Sequence, residues 1–211
     1  LRFKKFFFVI ALLLMVLVVV DEPIKRVDAE TVDVYVVQPG DSLWMISRSY
    51  QIGLSEIIEA NPQIRNPDLI YPGDEINVPL KTEVKSIENE VIRLTNNYRE
   101  QNGLEPLDHD WQLSRVARYK SADMRDKNYF SHQSPTYGSP FDMIENFNVS
   151  YRRAAENIAA GQRSAEAVVE SWMNSPGHRQ NILNPDMTHI GVGYAEGGSR
   201  STYWTQMFIE K

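Results

Sequence analysis

The sequence predicts an α+β fold in two parts: a small β-α-α-β module, then a helix-rich domain that closes on an antiparallel hairpin. Three observations carry this. Two short β-branched or aromatic runs, each next to a Pro-Gly-Asp turn, bracket two short helical patterns between Asp33 and Pro79. Apolar residues then recur at helical spacing from Ile87 to Met173. Finally Ile190, Val192 and Tyr194 alternate with Gly191 and Gly193, and Tyr203–Ile209 alternates back after a Glu196-Gly197-Gly198-Ser199 turn.

The first residues stand apart from any fold. Arg2, Lys4 and Lys5 precede fifteen apolar residues, Phe6–Val20, and a polar stretch ends in Val27-Asp28-Ala29. A basic start, a short apolar run and a small closing residue predict a secretory signal peptide over residues 1–29. A bilayer span needs about 20 apolar residues, so a membrane role is expected only if this leader is retained. The whole chain has 22 basic and 28 acidic residues; removing the five basic and three acidic residues of 1–29 leaves 17 against 25, a net charge of −8. Such a surface repels phosphate backbones, which argues against nucleic acid as a partner. There is no cysteine, so an exported chain must stand on its hydrophobic core.

In the first module, Val34-Tyr35-Val36-Val37 reads as a strand closed by Gln38-Pro39-Gly40-Asp41. Ser42 begins a helix with Leu43, Ile46 and Tyr50 on one face, and Trp44 is expected in the core. Gly53 breaks it; Leu54, Ile57 and Ile58 mark a second helix ending near Asn61-Pro62. Tyr71-Pro72-Gly73-Asp74 then leads into the strand Glu75–Val78, which Pro79 ends. The motifs Val-Gln-Pro-Gly-Asp-Ser-Leu, Asn-Pro and Tyr-Pro-Gly-Asp-Glu-Ile make residues 31–80 resemble a LysM domain. The resemblance implies binding of peptidoglycan or another N-acetylglucosamine polymer. It puts Gly40, Asp41, Ser42 and Leu43 on one groove wall and Asn61, Pro62, Gln63 and Ile64 on the other. Asp41 and Ser42 also have plain readings as turn residue and N-cap.

Residues 81–85 read as a short polar linker and 86–211 as the second domain. Ile87, Val91, Leu94 and Tyr98 mark a helix ending at Asn102-Gly103; Leu113, Val116, Ala117, Lys120 and Met124 mark another, capped by Asp108 or Asp110. A loop, Asn128–Pro140, carries His132. Glu156 precedes a third helix (Ala165, Val168, Val169, Trp172, Met173; N-cap Ser164), and Ser175-Pro176-Gly177 stops that helix just before His178. The glycine face of the 190–194 strand must approach something closely. His189 reads as structural, His109 as an exposed loop residue, and Tyr203, Trp204 and Phe208 as core.

The segments NNYREQNGLEPL, FSHQSPTYGSPFDMI, AENIAAG, SWMNSPGHRQNIL, THIGVGYA and YWTQMF together resemble a bacterial CAP domain, of the cysteine-rich secretory protein, antigen 5 and pathogenesis-related 1 superfamily. The resemblance implies an α-β-α sandwich with a cavity lined by His132, Glu156 and His178, which in some members binds a divalent metal such as zinc. The family's fourth residue, a glutamate, has no match; Tyr137 stands about there. Two histidines and a carboxylate are the ligand set of an open zinc site, with His132 and His178 as the imidazole ligands. Neither HExxH nor G-x-S-x-G occurs. The expectation is a secreted, cell-wall-associated protein, extracellular or around a spore envelope. LysM would bind glycan and the CAP domain would act as an interaction or ligand-binding module. The alternatives are a metal-assisted hydrolase of wall peptide or glycan using His132, Glu156 and His178, and a carrier of small lipid cargo.

Overall fold

Seven apolar side chains, Val37, Leu43, Ile46, Ile52, Ile57, Ile76 and Val78, form the core of the first module. They come from Val37 just after β1 (Val32–Val36), from α1 (Leu43–Ser49), the connection after it, α2 (Leu54–Ala60) and β2 (Glu75–Pro79). The two strands pair antiparallel, Val34 opposite Asn77. Ser42 caps α1 by accepting from the Met45 N–H. The structure, a computed structural model, describes residues 31–211; the expected signal peptide lies outside the described residues. Among those described, no helix is long and apolar enough to cross a membrane.

One expectation for this module is corrected. Trp44 is 55% exposed rather than core. Its neighbour Leu43 takes the inward position, and the period of α1 then points Trp44 and Met45 outward. The stretch expected as linker is mostly helix: α3 (Thr82–Gln101) begins three residues after β2 ends.

The second domain is three layers. Its sheet has the order β3-β5-β6-β4, from β3 (Asp108–His109), β4 (Arg153–Ala160), β5 (His189–Glu196) and β6 (Thr202–Glu210). β3 runs parallel to β5; the other pairs are antiparallel. β6 is buried along almost its whole length because both faces are covered. Trp204 and Phe208 face the layer of α3, α6 (Ala165–Met173) and α7 (Pro176–Ile182), while Met207 and Ile209 face α4 (Trp111–Asp126) and α5 (Pro140–Asn146). That is the α-β-α sandwich the resemblance implied. A Cβ on Gly191 would collide with the backbone of Leu113 and Ser114, and one on Gly193 with that of Ala117 and Arg118. The two glycines thus let α4 lie directly on the sheet, which explains the glycine face in the sequence.

Three local readings change. Glu156 lies within β4, an edge strand absent from the sequence reading because its Ala-rich run has no alternating signal. Ser175-Pro176-Gly177 ends one helix but also starts another: Pro176 is the first residue of α7, where its missing N–H costs nothing, so His178 sits in that helix's first turn. The loop expected over Asn128–Pro140 runs straight into α5, capped by a Ser139–Asp142 capping box. Asp110, not Asp108, caps α4.

Candidate functional site

The site is built at the edge of the sheet, where β4 passes between the α4 layer and α7. Glu156 faces the α4 side, and its side chain is 2% exposed. His132 reaches it from the loop after α4, Nδ1 lying 2.7 Å from Glu156 Oε1. An ionised carboxylate can only accept, so Nδ1 is the donor in this contact. The His132 side chain is 55% exposed, so the far edge of its ring meets solvent. His178 approaches from α7, placed by Asn157, whose Nδ2 donates to the His178 carbonyl at 3.1 Å. Asn181, one turn on, donates to Asn157 Oδ1 at 2.8 Å and to the Glu156 carbonyl at 3.3 Å. Burial lowers the His178 pKa from 6.5, and the nearby His132 ring lowers it further.

Two buried polar atoms of this site, Glu156 Oε2 and His178 Nδ1, have no hydrogen-bond partner among the described residues. Leaving such atoms unpaired costs about 1–3 kcal/mol each. The structure sets His132 directly on Glu156, and His178 on α7 beside β4. Among the described residues no group of three or more His, Asp or Glu could hold a metal ion. Tyr137, at the position of the missing glutamate, packs its ring edge-on against Tyr119 and Phe147. Ser131, next to His132, uses its Oγ to accept from the Gln133 N–H and has no geometry of a nucleophile.

The residues that hold the site were not read from the sequence. Lys120, fully buried on α4, donates to the His132 carbonyl at 2.7 Å. Burial lowers its pKa, while Glu156 and Asp123 pull it back. Asp123 accepts from Tyr129 Oη (2.6 Å), Ser134 Oγ (2.7 Å) and Thr136 Oγ1 (2.5 Å), gathering the His132 loop onto α4. Burial and that hydrogen bond push the Tyr129 phenol well above its usual range. The signal was present: a lysine in the apolar stripe of α4. On the other side, the buried Arg99 guanidinium donates to the carbonyls of Glu105, Ile182, Asn184 and Met187, which fixes the end of α7.

In the first module the expected groove residues divide. Asp41 accepts from Tyr35 Oη and the Gln38 N–H, a turn role, and Ser42 caps α1. Leu43 is core, and Asn61 is buried, its amide bonded to Ile57, Gln63 and Asn77. Ile64 is half-buried against the same core as Leu43. Gly40, Ser42, Pro62 and Gln63 remain exposed. His109, expected in a loop, forms β3; it is exposed and its Nε2 lies 3.0 Å from Ser114 Oγ.

A β-α-α-β module before an α-β-α sandwich with a His-Glu-His edge site defines a two-module protein of the LysM–CAP class. The LysM domain model matches residues 35–79, and the model of CAP, the cysteine-rich secretory protein family, matches residues 92–208. The chain belongs to the cysteine-rich secretory protein family. It is 61% identical over 128 residues to protein YkwD of Bacillus subtilis (strain 168), spanning 61% of this chain and 49% of that one. A solved extracellular protein containing an SCP domain from Bacillus anthracis str. Ames is 39% identical, with a TM-score of 0.56 covering 66% of this chain and 47% of that chain. The spore coat assembly protein ExsA of Bacillus cereus is 43% identical over 49 residues, 23% of this chain and 8% of that protein. The chain therefore spans about half the length of the first two and a small part of the third.

Proposed function

We propose that this is a secreted, cell-wall-associated binding protein. Its LysM module holds N-acetylglucosamine-containing glycan, with peptidoglycan as the target. Its CAP site binds a second ligand. The observation that carries the reading is the LysM module itself, whose inward residues serve the fold while Gly40, Ser42, Pro62 and Gln63 stay open to a ligand. For the CAP site the support is the pair of buried unpartnered atoms, Glu156 Oε2 and His178 Nδ1, whose cost a ligand hydroxyl or amine would remove. The spore-coat relative of the LysM stretch supports a place around the spore envelope among wall locations. Co-sedimentation with purified peptidoglycan tests the reading. The full chain should pellet and a truncated chain lacking residues 31–80 should stay in solution; equal pelleting of the two would refute the LysM role.

A further inference from the structure

Several contacts between the two modules meet on one stripe of α4. Arg115 Nε lies 2.9 and 3.2 Å from the two Glu56 carboxylate oxygens. Its terminal nitrogen lies 3.1 Å from Glu56 Oε2 and 2.8 Å from Ser55 Oγ. A guanidinium fork on a carboxylate fixes angle as well as distance. The two side chains are only 20% and 10% exposed, so water screens them little. Ser55 Oγ also lies 3.3 Å from Tyr119 Oη. Arg48, stacked over Trp44 at 5.1 Å, lies 6.0 Å from the Trp111 ring centre. Trp111, Arg115 and Tyr119 are spaced by four residues and share one helix face. Separately, Lys85 of α3 donates to the Tyr50 carbonyl at 3.0 Å.

Gly53 is the sharpest sign of close docking. Its φ of −80° suits any residue, yet a Cβ there would collide with the Glu56 carboxylate and the Arg115 guanidinium. The chain connection has little slack either, since α3 starts three residues after β2 ends.

We propose that the outer stripe of α4 is a docking surface for the LysM module, keyed by Glu56–Arg115, so that the two modules are one unit. Modules joined in a chain move relative to each other by default, which makes this a specific claim. It goes beyond the wall-binding reading and depends on neither ligand. Lys120 and Asp123 lie on the same helix, so the LysM module and the His132 loop are both fastened to α4. A wall strand held by LysM would then meet the CAP edge site in one orientation.

Backbone ¹⁵N relaxation of the full chain tests it. A docked unit gives one rotational correlation time for residues of both modules; a distinctly shorter time for the LysM residues of the unaltered chain would overturn the proposal. Gly53→Ala should break the Glu56–Arg115 pair, because the backbone accepts alanine and the methyl displaces those two flexible side-chain ends. The LysM residues should then tumble as a small body while amide shifts around Ile57 and Val192 stay in place. Should Gly53→Ala unfold the small module, Glu56→Gln serves the same purpose. Continued joint tumbling in both variants would show that the pair is not the key. Peptidoglycan pelleting is read separately, so failure of the glycan reading and failure of the docking proposal remain distinct.

Discussion

Replacing Asp123 by asparagine should be among the costliest single changes on α4, because one carboxylate gathers three hydroxyls. Tyr129, Ser134 and Thr136 all donate to it, and the residue is buried. Turning three charge-assisted bonds into neutral ones loses about 1 kcal/mol each, roughly 3 kcal/mol together. The new NH2 group also faces hydroxyls that must turn or go unpaired, which adds to the loss. For a body of this size, 1 kcal/mol moves Tm by about 2–4 °C, so the variant should melt roughly 6–12 °C lower at pH 7. The pH dependence sharpens the test. Burial alone would raise the Asp123 pKa, but hydrogen bonds from Thr136, Tyr129 and Ser134 outweigh it and hold the pKa below 3.8. A depressed folded pKa contributes stability that is present above the unfolded value and lost as pH falls through the folded one. The gap between the two chains should therefore close below about pH 4. Thermal melts at pH 7 and pH 3 read both arms. A gap under about 1 kcal/mol at neutral pH, or one that ignores pH, would refute the reasoning.

Burial, with the nearby His132 ring, lowers the His178 pKa below 6.5, so the unfolded chain binds this proton first as pH drops. Stability should fall below that pH, and less steeply in His178→Gln; parallel curves of Tm against pH would count against it. Gly193→Ala drives a methyl into the α4 backbone at Ala117 and Arg118, and should cost about 3 kcal/mol or more in urea unfolding, the upper end for overpacking since backbone cannot swing aside. Ile57→Ala should destabilise the LysM module by about 2–5 kcal/mol, whereas exposed Trp44→Ala should stay within about 0.5 kcal/mol in the same assay.

Where local pattern and tertiary packing agree, the sequence was a good guide. The caps Ser42, Asp110 and Ser164 stand where they were read, and the hairpin of β5 and β6 alternates as expected. His132 meets Glu156, but only family resemblance could pair positions 24 residues apart in sequence. What stayed hidden was set by neighbours distant in sequence. β4 is a strand because β6 pairs with it, not because Arg153–Ala160 has a strand pattern. Trp44 looks like core by type, yet Leu43 holds the inward place. A proline was read as a stop when it was also a start, since Pro serves the first position of a helix as well as the gap before it. Lys120 was visible on an apolar stripe, but its partner, a carbonyl in the His132 loop, was not.

The position of β6 has a consequence for how the chain is made. It lies between β5 and β4, both of which precede it in sequence and neither of which pairs with the other. As residues emerge in order, β4 and β5 must wait with open edges until Thr202–Glu210 arrives between them. The β3–β5 pair can form before β6, but the β4 side of the sheet cannot, since its pairings span 43 or more residues, from Ala160 with Tyr203 outward. β4 therefore keeps an unpaired edge until Thr202–Glu210 is made.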